Sequence, residues 1–291
     1  MSFKYINAGN GKLISSVFSV KTDKTYNPYN SNQSFTGNGT MTLDAPTKKL
    51  YVKAGFALTG TLARGLKLVA QNQSSSKRTG ISLYNPFCPI INGNNGSNFN
   101  AEYSTQKYYE FLIEIVSDAT NGVLKIIFDS KLIFSYEGNV MDGDDITSLY
   151  FSLSYNDCIY LSNLIVSDEP IRIAEKIISL PIASTTATMA DNGDGSYTAT
   201  EVGQSVMQTI DTAALEQEIG KGNVITGIQL VGNPAYFEGD GLTTVQAMRG
   251  DVVKAEKALE VDTDGTVTAG WAESIGQDYI GNLQLGWKAA E

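Results

Sequence analysis

What most restricts the fold of this 291-residue chain is the spacing of its apolar segments. Short runs of β-branched and aromatic residues recur along its whole length, each closed by a cluster of Gly, Asn, Asp or Ser. Such runs fit half-buried strands, and their closing clusters supply the turns between them. In the first part the expected strands are Leu13–Val20, Lys49–Lys53, Leu66–Ala70, Tyr108–Ser117, Val123–Phe128, Leu132–Tyr136, Leu149–Ser154 and Ile159–Val166. Tyr109, Phe111, Ile113 and Ile115 share one face of their strand, while Glu110 and Glu114 lie on the other. Asp129-Ser130 has the length of a tight hairpin turn.

The composition changes near residue 170. Residues 1–169 hold 12 of the 15 Tyr, 10 of the 11 Phe and 17 of the 21 Asn, with 14 basic and 14 acidic side chains. Residues 170–291 hold both Trp and the whole net charge of −10. An asymmetry of this kind marks two folded units, and Pro170, which cannot donate to a sheet ladder, is the natural joint. A fragment ending there, residues 1–166, is then expected to be a soluble β protein. The second region again reads as strands, thinner and rich in Ala, Thr and Gly: Ile182–Met189, Ser196–Thr200, Ser205–Ile210, Ile225–Val231, Thr243–Met248, Lys254–Val261, Thr266–Trp271 and Leu283–Lys288. One short helix is expected at Thr212–Ile219, capped by Asp211 and stopped by Gly220. Asp194-Gly195 and Asp264-Gly265 read as hairpin turns, and the strand spacing suits a small Greek-key or immunoglobulin-like sandwich.

Three runs in the first region, Tyr108–Val116, Val123–Phe134 and Ile159–Pro170, resemble the closing strands of concanavalin-A-like (laminin-G-like) jelly rolls. That resemblance implies an all-β, lectin-like domain over residues 1–169. Gly232-Asn-Pro-Ala-Tyr236, Gly241-Leu-Thr-Thr244 and the ending Trp287-Lys-Ala-Ala-Glu291 resemble C-terminal modules of tailed-bacteriophage virion proteins.

The chemistry available is narrow. The chain has no His, which removes His general bases, Ser-His-Asp triads and His-ligated zinc. Two cysteines, Cys88 and Cys158, cannot hold zinc unaided. A charge of −10 and a pI near 4.6 argue against a nucleic-acid surface. No run of apolar residues is long enough to span a membrane, and the first residues lack the apolar stretch of a signal peptide. The thiols are therefore expected free, in a reducing compartment. Glu110 and Glu114, four residues apart on a strand, would stand roughly 13 Å from each other. Glycoside hydrolysis needs its carboxylates closer, at ~5–9.5 Å, so the pair reads as two solvated acids and the protein as a non-enzyme.

Two groups remain as binding candidates. Tyr84, Asn85, Phe87, Tyr103 and Tyr155 lie in Asn/Gly/Ser-rich connections, where rings can stack on sugars and amides can bond hydroxyls. Asp142, Asp144 and Asp145 form an acidic loop; calcium takes six to eight oxygens, and such loops can supply them, so calcium is the one cofactor to consider. Asp191–Ser196 lacks the spacing of an EF-hand and reads as a turn. The whole suggests a structural protein of a phage virion, such as a tail fibre, tail tip or capsid-attached fibre. It would assemble with other virion proteins in the host cytoplasm, be released by lysis, and display a glycan-binding domain. The alternative is a carbohydrate-binding module of a larger exported protein; a jelly-roll glycosidase comes third. A homo-oligomer is expected, a trimer first, joined through residues 170–291.

Overall fold

The computed structural model describes residues 4–7, 16–22, 33–58, 64–84, 87–97, 104, 106–153, 159–232, 241–259 and 267–291. The chain forms two compact units, Met1–Ile178 and Ser179–Glu291. In the first, the strands are β1 (Lys4–Asn7), β2 (Ser16–Thr22), β3 (Gln33–Thr47), β4 (Lys49–Leu58), β5 (Arg64–Gln71), β6 (Arg78–Tyr84) and β7 (Phe87–Ile91). They continue with β8 (Asn94–Asn95), β9 (Tyr108–Val116), β10 (Asp118–Phe128), β11 (Lys131–Val140), β12 (Ile146–Leu153) and β13 (Ile159–Ser167).

All their pairings are antiparallel, in two groups. One runs β11-β10-β9-β4-β13, with β1 on the far side of β13; the other runs β3-β12-β5-β6-β7-β8, with β2 on β3. Only the pair Leu161–Phe35 links the two ladders among the described residues. They are the layers of a sandwich, because their inner faces share one core. Leu50, Val52, Ala54 and Phe56 of β4 and Phe111, Ile113 and Ile115 of β9 meet Met41, Leu43, Leu66, Leu68, Leu149 and Phe151 of the opposite layer. Rings anchor this core: Phe56 lies 5.6 Å from both Tyr109 and Phe128, and those two are 5.2 Å apart, centroid to centroid. Offset aromatic contacts of this kind add ~0.5–1.5 kcal/mol each beyond the area they bury.

The expected hairpin forms. Phe128 pairs with Lys131, and the two residues between them, Asp129 and Ser130, both take left-handed angles (φ 47° and 66°). That is the type I′ turn, whose twist matches the flanking strands, and it costs least with Gly at the second position.

The boundary lies after Ile178, not at Pro170. Residues past Pro170 fold back over the outer face of the first layer. Ile171 and Ile177 are buried there against Leu112 and Ile165, with Ile6, Tyr51, Ile127 and Ile173 at the edges. Beneath this strap lies Lys53, with none of its surface exposed. Its ammonium is 3.3 Å from Glu110 Oε1 and donates to the backbone carbonyl of Glu175. Lys4, also buried, pairs with the Glu175 carboxylate at 2.7 Å. Burial pulls the Lys53 ammonium below its ordinary pKa, and the Glu110 carboxylate works against that shift. Tyr108 lies across Gly55, where an added Cβ would come within 2.1 Å of the phenol oxygen, and its hydroxyl donates to Glu110 at 3.2 Å. Glu110 is thus an ion-pair partner rather than a solvated acid.

The second unit is also all-β, as the sequence suggests. Its strands are β14 (Ile182–Ala187), β15 (Ala190–Asp191), β16 (Tyr197–Thr198), β17 (Ser205–Ile210), β18 (Val224–Gly232), β19 (Thr244–Arg249), β20 (Val252–Ala258), β21 (Val267–Gly276) and β22 (Gln284–Ala290). An antiparallel sheet in the order β14-β17-β22-β19-β20 stands with a β18–β21 ribbon, and Gly232 of β18 lies against the Trp287 ring of β22. Ile210, Leu215, Ile228, Met248, Trp271, Ile280 and Leu285 are buried. The helix α1 (Thr212–Ile219) forms as expected: Asp211 Oδ1 accepts from the N–H of Ala214 at 3.0 Å, and Gly220 (φ 78°) ends it. Gly193 and Gly195 turn the β15–β16 hairpin, while Asp264-Gly265 lies outside the described residues.

Two outcomes follow for stability. A fragment of residues 1–178 should melt cooperatively, whereas 1–169, lacking the strap, should lose solubility or several degrees of Tm, because it exposes Leu112 and Ile165 and strips Lys4 of its carboxylate. Equal melting curves for the two fragments would show that the strap contributes nothing. Separately, Ser130→Gly should raise stability by roughly 0.5–1 kcal/mol in urea titrations, since glycine adopts the left-handed angle without steric cost.

Candidate functional site

Register sorts the connections of the first unit between the two ends of the sandwich. At one end stand Thr47 opposite Ile146, Gln71 opposite Ser148 and Asp118 opposite Val140. At the other stand Leu66 opposite Leu153 and Ala57 opposite Tyr108. The acidic loop belongs to the first end. Tyr84 closes β6 and Phe87 opens β7 at the second, with Phe87 opposite Leu83. Asn85, Tyr103 and Tyr155 lie outside the described residues, as do the side chains of Tyr84 and Phe87. Cys158 is outside them too. Cys88 is buried, burial raises its thiol pKa, and the thiol donates to the Gly96 carbonyl at 3.3 Å.

The first end is organised by Asn72, which is buried. Its amide nitrogen donates to Asp144 Oδ2 at 2.9 Å and Ser76 Oγ at 3.2 Å, and its oxygen accepts from the N–H of Lys77 at 3.1 Å. One side chain therefore folds the Ser-rich loop back on itself and ties it to the acidic loop. The acidic loop is itself constrained: Met141, Asp142 and Gly143 all take left-handed angles (φ 60°, 51° and 73°). Two of the three are not glycine, a costly conformation that persists only when the surroundings fix it. They do: Asn92 Oδ1 accepts from the N–H of Met141, Asn139 Oδ1 accepts from that of Asp142 at 3.1 Å, and Lys48 donates to the carbonyl of Gly143.

The three acids do not converge. Asp142 forms an ion pair with Lys77 and accepts from Asn139 at 2.8 Å; Asp144 is taken by Asn72; Asp145 pairs with Lys48 at 2.8 Å. Among the described residues no cluster of three carboxylate, thiol or imidazole side chains could hold a metal ion. The lysine ammoniums stand where a cation's charge would otherwise be needed. Their partner Asp142 is held below the usual carboxylate range, first by Lys77 and then by Asn139, and Asp142 in turn raises the Lys77 pKa.

Beside Asp144 opens a cleft of about 450 Å³, lined by Pro46, Asn72, Gln73, Ser74, Asp144, Asp145 and Thr147. Its walls present carboxylate acceptors, amides and hydroxyls on a frame fixed by Asn72. A carboxylate can accept about four hydrogen bonds, so the bond from Asn72 leaves Asp144 with capacity for a ligand. The acids were readable from sequence. Asn72, Lys77 and Lys48 were not, because only the fold brings these loops together, and Asn139, though three residues from Asp142, carries no motif. A faint signal existed: an Asn followed by a run of Ser is apt to cap its own turn.

No protein-family model matches the chain, and no curated protein matches it. Solved structures with a similar fold include an alginate lyase, Aly36B, at 12% identity and TM-score 0.36, covering 60% of this chain and 98% of that one. Galectin LEC-6 of Caenorhabditis elegans aligns at 10% identity and TM-score 0.32, over 48% of this chain and 93% of that one. Carbohydrate-binding module CBM66 of Bacillus subtilis aligns at 11% identity and TM-score 0.31, over 57% and 91%. Scores this low assign neither a ligand nor an activity.

The charge network sets a titration. The depressed Asp142 pKa means its stabilising charge is present above the unfolded value of ~3.9 and lost as pH falls through the lower folded value. Carboxyl NMR should show Asp142 titrating below ~3.9, and Lys77→Ala should return it only part of the way, since Asn139 still donates. An unshifted Asp142 in that variant would show that Lys77 does not act on it.

Proposed function

We propose that the first unit is a non-enzymatic saccharide-binding domain displayed on a tailed-bacteriophage particle, and that the second unit joins copies of the chain. The observation that carries the binding role is the cleft beside Asp144: carboxylates, amides and hydroxyls around a space large enough for a sugar residue, with Asp144 fixed by Asn72. Ordered carboxylates and amides suit a polyhydroxylated ligand, because each can bond hydroxyls without first being immobilised. The virion role rests on the resemblance of residues 232–236, 241–244 and 287–291 to phage virion modules. A non-catalytic role is supported by the commitment of Glu110 to Lys53 and the pairing of Glu114 with Lys125 at 3.8 Å, which leaves the best carboxylate pair engaged. The reading requires no cofactor, since Lys77 and Lys48 pair with two of the three acids, Asp142 and Asp145, and Asn72 bonds the third.

Binding of host-envelope glycans should be measured by NMR or on a glycan array. A single site is expected at millimolar affinity, with multivalency supplying useful adhesion. Asp144→Asn or Asn72→Ala should weaken binding about tenfold, the equivalent of ~1.4 kcal/mol, and a chelator should change nothing. If Tyr84→Ala with Phe87→Ala abolishes binding while Asp144→Asn leaves it intact, the ligand sits at the opposite end of the sandwich. If a calcium chelator abolishes it, the loop carries an ion.

A further inference from the structure

The second unit carries 16 acidic and five basic side chains over residues 179–291, so two copies repel over most of their surface. Within the five-stranded sheet, one edge is exempt. From Ser179 to Ala190 no side chain is charged, and this stretch contains β14, an edge strand of the five-stranded sheet whose six residues are all exposed. The opposite edge, β20, carries Lys254, Glu256 and Lys257, the charges that keep open strand edges from pairing. One edge is guarded and the other is not.

The unguarded edge has a defined pattern. Ser184, Thr185, Thr186 and Ala187 pair in regular register with Thr209, Gln208, Met207 and Val206 of β17, past a bulge at the start of the strand. The N–H of Thr188 donates to Ser205 at 2.8 Å, so it points toward β17. Alternate residues of an antiparallel strand bond the same neighbour. Thr186 and Ser184 therefore also point inward, and the N–H and C=O of Thr185 and Ala187 point away from the sheet.

We propose that β14 pairs antiparallel with β14 of a second copy about a two-fold axis at Thr186, joining the two five-stranded sheets edge to edge. Thr185 of each copy then exchanges both backbone hydrogen bonds with Ala187 of the other, roughly four in all, while the two Thr186 side chains meet across the axis. The occupant is a second copy because the edge is self-complementary and uncharged in a unit that is acidic as a whole, while the opposite edge of the same sheet is charged. This deepens the reading of the second unit as the joining module, and it replaces the three-fold expectation with a two-fold one.

The test uses the full chain at about 100 µM. Sedimentation equilibrium should give a dimer or a higher even-numbered species. Thr185→Pro should give a smaller species with an unchanged melting curve, because the N–H it removes makes no bond to β17. Thr186→Cys should cross-link into a covalent dimer under mild oxidation, since directly opposed residues of a non-hydrogen-bonded pair stand ~4.5 Å apart at Cα, within disulfide reach. A monomeric parent chain would overturn both this proposal and the joining role. A parent oligomer that Thr185→Pro leaves intact, or a trimer, would overturn the β14 pairing and leave the joining role standing. Loss of fold in Thr185→Pro would overturn the assignment of its N–H to the open edge, and Thr186→Cys without cross-linking would overturn the axis.

Discussion

Burying the ammonium of Lys53 constrains the first unit more than any other single feature. An unpaired cation cut off from water costs several kcal/mol, so partners must come from wherever the chain can supply them. One is local in space, Glu110 on the neighbouring strand. The other arrives from the far end of the unit, as the Glu175 backbone carbonyl. That requirement explains why the chain does not leave the sandwich at Pro170. It also explains why Glu110 stands in an ion pair and why Lys4, drawn into the same enclosure, shares the Glu175 carboxylate. The apolar residues Ile171 and Ile177 then seal the enclosure against Leu112 and Ile165.

Much of the secondary structure was legible because it depends on neighbours in sequence. The helix Thr212–Ile219 has its cap and its stop within one residue of its ends, and the Asp129-Ser130 hairpin is set by a two-residue spacing. The long strand Gln33–Thr47 was not legible, because Gly37, Asn38 and Gly39 interrupt any apolar alternation. It is a strand because β2 and β12 flank it, not because its own residues prefer extension. Phe87–Ile91 was hidden likewise by its prolines; Pro89 is tolerated beside the two-residue β8. The strap was misread for a related reason. Proline signals a break in a ladder, and strand β13 does end there, but a strap that packs through side chains needs no ladder.

The candidate site divides in the same way. The carboxylates of the acidic loop stand close in sequence and were visible as a group, yet what they do is decided largely by residues far away, Asn139 being the local exception. Asn72 and Lys77 come from a loop that joins β5 to β6, Lys48 from the turn between β3 and β4, and Asn139 from the end of β11. These contacts turn the acidic sequence into a partly neutralised rim beside a polar cleft. Of the aromatic candidates, the backbone of Tyr84 and of Phe87 stands at the end of the sandwich opposite the acidic loop.

The pairing of β1 with β13 sets Lys4 opposite Ser167 and Asn7 opposite Leu164, so the first strand of the unit is held by the last. On the ribosome this imposes an order of events. β1 waits for β13 until nearly the whole unit has been synthesised, and Lys4 and Lys53 remain hydrated until Glu175 follows. Chain growth at ~5–20 residues per second makes that wait on the order of ten seconds or more. The apolar strands between must stay apart from other chains for that time, and their scattered Asn, Gly and charged turn residues are what keeps them in solution meanwhile. The enclosure around Lys53 is completed only once the strap has been made.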